Sequence, residues 1–165
     1  MSRAQILHRR ILVLTWLFIL GLVVSGATAI PLTGEVDWLT RQMAAGNGTS
    51  TLGDWLGRVR AALLQTQAAA PFLFYGTDWL AFGHFVIAVA FIGALRDPVR
   101  NRWLFDFGLI ACALVIPYAL VFGAGRGIPV WWRLIDCSFG VFGAIPLWLC
   151  RGWTKELEAG AYQDT

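Results

Sequence analysis

"WLFDFGLIACALVIPYALVFGAG", residues 103–125, carries one charged side chain, Asp106, in an otherwise apolar run. At ~1.5 Å of rise per helical residue, a stretch of this length crosses the ~30 Å hydrocarbon core of a bilayer. Its apolar residues follow one another without alternation, which is not the pattern of a membrane β-strand. A backbone surrounded by lipid must satisfy its own N–H and C=O groups, so the stretch predicts a spanning helix.

Three more runs read the same way: Ile11 to Ile30, Trp79 to Leu95 and Leu134 to Cys150. Their weight in the chain explains why 58% of its 165 residues are hydrophobic and why its mean hydropathy is +0.63, well above ordinary soluble domains. The expectation is an all-α integral membrane protein, a single membrane domain over residues 1–165, with four transmembrane helices in an antiparallel bundle. The basic start and the "GATA" of residues 26–29 resemble a secretory signal. An apolar run of about twenty residues is long for a signal core, and helix one is expected to be retained.

The segment 31–77 is the one long connection. Leu52, Trp55, Leu56, Val59 and Leu63 fall at helical spacing, and Asp54 precedes Arg58 by four residues in the favourable order for an ion pair. A second candidate helix runs from Glu35 to Ala45, with "GNGTS" at 46–50 as the turn between them. The connection therefore predicts an extracytoplasmic amphipathic helical segment lying on the bilayer or capping the bundle. Residues 152–165 read as a short polar cytoplasmic tail.

Charge placement gives an orientation. Of the 13 basic residues, Arg3, Arg9, Arg10, Arg96, Arg100, Arg102, Arg151 and Lys155 fall on one side of a four-span chain. Arg41, Arg58, Arg60, Arg126 and Arg133 fall on the other. The positive-inside rule then puts both termini in the cytoplasm of a bacterial-type inner membrane. Of the nine tryptophans, Trp38, Trp55, Trp79, Trp131 and Trp132 fall at the outer boundary and Trp103, Trp148 and Trp153 near the inner one, as aromatic belts do. No basic run has the footprint of a nucleic-acid-binding surface, so nucleic acid is not an expected partner. The expected partners are membrane lipids and either other membrane-protein subunits or further copies of the chain.

Polar residues within spans are costly and pose functional questions. Arg133, Asp136, Gly140 and Gly143 are spaced to share one face of the last helix. Arg133 and Asp136 are expected to pair, with Arg126 near the same carboxylate. The alternative is an outer-side pocket in which Arg126, Arg133, Asp136 and His84 bind an anionic group. His84, in "DWLAFGHFV", is the histidine within a span. It reads either as an interhelix hydrogen bond or as an acid–base partner of Asp136. Gly140 and Gly143, and on the first helix Gly21, Ser25 and Ala29, are small residues suited to close helix packing. Arg102 and Asp106 are expected to form an inner-side ion pair.

Cys112, Cys137 and Cys150 show no metal-ligand spacing. His84 has no second spanning histidine to share a haem, and no motif indicates a cofactor. Nucleophile motifs and phosphate-binding glycine loops are also missing, so a catalytic residue is not assigned. The succession Asp78, His84, Arg126, Asp136, Gly140 and Gly143, over residues 78 to 143, resembles that of VanZ-type small membrane proteins. The Glu and Gln that precede the arginine in that family have no counterpart in "VIPYALVFGAGR", and the Asp-to-His spacing is longer, so the resemblance implies no activity here. Three functions follow as expectations: a structural or accessory membrane protein, a lipid- or anion-handling protein using the outer pocket, and a pigment- or quinone-associated subunit.

Overall fold

The computed structural model describes residues 2–44 and 50–161. Among the described residues, six α-helices occur in this order: α1 (Arg3–Ala29), α2 (Leu32–Ala44), α3 (Thr51–Ala69), α4 (Tyr75–Arg96), α5 (Arg102–Gly125) and α6 (Val130–Ala161). A 3-10 turn, Pro71–Phe74, leads into α4. Among the described residues there is no strand. The four long helices α1, α4, α5 and α6 are each long and apolar enough to cross a membrane. Even α4, with 22 residues, measures about 33 Å at 1.5 Å per residue.

The long helices differ in extent from the apolar runs because a helix need not stop where lipid does. α1 begins at Arg3, well before Ile11. α6 begins at Val130 and runs to Ala161, through residues expected to form a polar tail. The reason is a buried stripe that continues past Gly152. Leu147, Cys150 and Thr154 are all buried, and they follow the three- and four-residue spacing of one helix face. Thr154 satisfies its hydroxyl on the Cys150 carbonyl at 2.7 Å. The turn after α4 is closed by a local hydrogen bond. Asp97 and Pro98 do not start α5; the Asp97 carboxylate accepts from the Arg100 N–H at 3.0 Å, and α5 begins at Arg102.

The chain divides into two compact units, Met1–Leu20 with Ala88–Thr165, and Gly21–Ile87. In the first unit, Ile11, Phe91, Phe105, Leu147 and Cys150 are almost completely buried. Phe91 lies 4.8 Å from Phe18 and 6.4 Å from Phe105, ring centre to ring centre. Gly108 makes room for this packing: a Cβ there would lie 2.7 Å from Leu147 Cδ1 and 3.2 Å from Phe91 Cζ. Two polar residues in this core are used locally, Thr15 Oγ1 lying 4.0 Å from Cys150 Sγ and Cys150 Sγ 3.8 Å from the Ile11 carbonyl.

In the second unit, α2 and α3 bury Val36 and Leu56. α3 starts with a Ser50 cap, whose hydroxyl accepts from the Gly53 N–H at 3.0 Å. The rest of the "GNGTS" turn, residues 46–49, lies outside the described residues. Gly26 on α1 is the closest approach in this unit, since a Cβ there would lie 2.9 Å from Phe85 Cε1 and 3.0 Å from the Ala81 carbonyl. Large apolar side chains such as Trp16, Leu17, Phe139, Phe142 and Trp148 are exposed on the long helices. Such an outside suits lipid, which is itself an apolar solvent for side chains.

Candidate functional site

The corner between α5 and α6 is closed by backbone geometry. Gly127 has φ of +71°, a left-handed conformation in which glycine bears no Cβ penalty. The Ile128 N–H donates to the Gly123 carbonyl at 2.9 Å and the Gly127 N–H to the Ala124 carbonyl at 3.1 Å. These two bonds form a Schellman motif ending α5. The Pro129 carbonyl then accepts from the Trp132 and Arg133 N–H groups, which starts α6 within a few residues.

This corner positions Arg126, Arg133 and Asp136. The stem of Arg133 lies over Gly123, where a Cβ would come within 2.6 Å of Arg133 Cδ. Its Nη1 donates to the Leu120 carbonyl at 3.1 Å, and its Nε is buried without a hydrogen-bond partner. The expected Arg133–Asp136 ion pair is therefore not formed. The arginine reaches across to α5 because Gly123 leaves a channel for its methylenes, and its Nη1 is used on the Leu120 carbonyl. Asp136 is half-buried and Arg126 exposed, and neither makes an ion pair among the described residues.

Below the corner, α5 and α6 come into close contact. A Cβ on Gly140 would lie 2.5 Å from the Cys112 carbonyl oxygen, and one on Gly143 would lie 3.1 Å from Cys112 Sγ. Cys137, on the same side, has its Sγ 3.8 Å from the Ile116 carbonyl. The stripe Gly21, Ser25 and Ala29 is not a comparable contact. Gly21 meets nothing within 4 Å, and Gly21 and Ser25 are exposed. A spacing of four identifies a face but not which face is covered, and it is Gly26 that is buried.

His84 belongs to the unit Gly21–Ile87. Its Nδ1 lies 2.8 Å from the Leu80 carbonyl of its own helix, and its Cβ is one of the atoms that confine Gly26.

At the far end of the α5–α6 pair, Arg102 and Asp106 do not pair with each other. Arg102 pairs with Glu158, and Asp106 with Arg151. An arginine that precedes its acid by four residues is the weaker order within one helix, and the extension of α6 supplies better-placed partners. Arg3 pairs with Glu156 at 2.5 Å.

The sequence reading missed one charge cluster. Asp37 on α2 accepts from Arg60 Nε of α3 at 2.5 Å and lies 2.8 Å from Arg41 Nη2. The Arg60 hydrogen bond, followed by that from Arg41, holds the Asp37 carboxyl below the usual aspartate range. The i,i+4 spacing of Asp37 and Arg41 was a usable signal, whereas Arg60 is joined to them only by the fold. The expected Asp54–Arg58 pair is not formed. Arg58 instead lies 5.3 Å over the Trp55 ring, a contact in which the ring face attracts the cation.

Among the described residues, no three His, Cys, Asp or Glu side chains converge as metal ligands. Comparison with known proteins finds no matching family model, no matching curated protein and no matching solved structure.

Proposed function

We propose that this chain is a structural or accessory component of a bacterial-type inner membrane, built as a four-span antiparallel bundle. Both termini face the cytoplasm and residues 31–77 lie on the outer side, a reading supported by the distribution of the 13 basic residues. The observation that carries the functional reading is how the polar groups of the spans are used. Arg133 is committed to the Leu120 carbonyl, Asp106 to Arg151 and Arg102 to Glu158. Groups spent on joining helices are not free to do chemistry on a substrate.

Native mass spectrometry after mild-detergent extraction tests this. The expected result is the added mass of other protein subunits. A stable monomer with catalytic turnover overturns the reading.

Asp136 favours a second reading. A half-buried carboxylate that makes no ion pair among the described residues, in a helix of membrane-crossing length, is the kind of group that lines ion and substrate pathways. On this reading Arg126, Arg133 and Asp136 contribute to an outer-leaflet site. Asp136→Asn then disturbs ligand affinity while the fold persists. Loss of the fold with no separable binding defect removes this alternative.

A further inference from the structure

Arg9 and Arg10 are explained by none of the contacts described so far. Both are exposed. Among the described residues neither pairs with a carboxylate, although Arg3, Arg102 and Arg151 all do. They stand at the rim of a groove of about 470 Å³ between the start of α1 and the later part of α6. Its walls below the arginines are Ile6, Val13, Leu14 and Leu149. Trp153 completes the rim, with the Arg10 guanidinium 5.8 Å from its ring centre. Leu149 also lines a second groove of about 390 Å³, shared with Leu109, Ile145 and Trp148 and free of charged side chains.

We infer that the Arg9–Arg10–Trp153 groove binds an anionic glycerophospholipid, its phosphate on the two guanidiniums and an acyl chain along Val13, Leu14 and Leu149. The chemistry selects this occupant. A small soluble anion satisfies the arginines but leaves the apolar walls uncovered. A neutral lipid covers the walls but brings no net charge to the arginines, which bind phosphate through directed N–H donors. Basic residues beside apolar grooves between spanning helices are suited to anionic headgroups, and the second groove offers room for the other acyl chain. The indole beside the headgroup level matches the preference of tryptophan for the membrane boundary. This inference rests on the membrane-spanning reading but not on an accessory role.

The test is native mass spectrometry of the full-length protein titrated with phosphatidylglycerol or with phosphatidylcholine of the same acyl chains. The wild type is expected to retain phosphatidylglycerol preferentially. Arg9→Ala with Arg10→Ala should weaken that retention about tenfold. Arg96→Ala with Arg100→Ala, which removes the same charge from a stretch that lines neither groove, should leave it unchanged. Leu149→Trp keeps every charge but fills the apolar walls, and it too should reduce retention, so the inference stays testable if the double arginine variant does not fold. An absence of preference in the wild type, equal losses in both arginine variants, or full retention by Leu149→Trp each overturns it. Alkaline carbonate extraction separates the two levels. A chain that washes off membranes defeats the membrane reading and this site together, whereas one that stays without headgroup preference defeats this site alone.

Discussion

The two helix pairs α5–α6 and α2–α3 are joined in opposite ways. α5 and α6 meet where side chains are missing, at Gly108 and Gly140, and charges pair between them only toward the end away from their connecting turn. α2 and α3 bury Val36 and Leu56 and are tied by charge, Asp37 of α2 being held by Arg60 of α3 and by Arg41 of its own helix. The contrast follows from the solvent each pair is suited to. In lipid, burying apolar surface against another helix gains little, so close backbone approach and specific polar contacts supply the attraction. In water or at an interface, an amphipathic pair buries its apolar face and can keep its charges at the rim.

The sharpest way to break this contrast is at Gly140. Gly140→Ala places a methyl 2.5 Å from the Cys112 carbonyl oxygen, which is backbone and does not rotate away. Against unyielding backbone the cost is expected toward the upper end of roughly 1–3 kcal/mol, which outweighs the ~1 kcal/mol that alanine gains over glycine in a helix. Reversible unfolding in mixed micelles measures it, and an unchanged midpoint removes the close-approach account of α5–α6.

Asp106→Asn or Arg151→Ala should cost about 1 kcal/mol, because both side chains are more than a third exposed and partly hydrated. The exchanged pair, Asp106→Arg with Arg151→Asp, should recover much of the loss. Failure to recover in the same unfolding assay means that each residue acts through something other than its partner.

The α2–α3 clasp gives a pH test. Arg60 and Arg41 lower the native Asp37 value. Its contribution is therefore complete above the unfolded aspartate value of ~3.9 and is lost as pH falls through the lower native one. Hydrogen exchange in α2 and α3 should accelerate as the pH is taken below about 4, relative to the intrinsic rate, and Asp37→Asn should show the faster exchange already at neutral pH. A variant with wild-type protection at pH 7 rules out the clasp. The smallest effect belongs to Gly21→Ala. With nothing within 4 Å, it should be neutral or stabilising by up to ~1 kcal/mol, opposite in sign to Gly140→Ala.

The four long helices were legible because length and continuous hydropathy are properties of the chain alone. The run 103–125 coincides with α5 to within one residue. α6 was under-read because composition turns polar at Arg151, although the periodicity that buries Thr154 was present in the sequence. Arg133 was misread for a different reason. Spacing on one helix brings Asp136 into view, but only the fold shows that Gly123 of the preceding helix leaves a path for the arginine stem. Asp37 and Arg60, 23 residues apart, likewise could not be joined by any local rule. His84 and Asp136, which one reading of the sequence makes an acid–base pair, fall in different compact units.

The Schellman closure after α5 also bears on hydration. The Phe122, Gly123 and Ala124 carbonyls, which a bare helix end offers to water, accept instead from the N–H groups of Arg126, Ile128 and Gly127. Moving an unbonded peptide group out of water costs several kcal/mol, and here three such penalties are already avoided. The corner carrying Arg126 thus presents fewer unbonded main-chain groups to a low-dielectric layer than a bare helix end would.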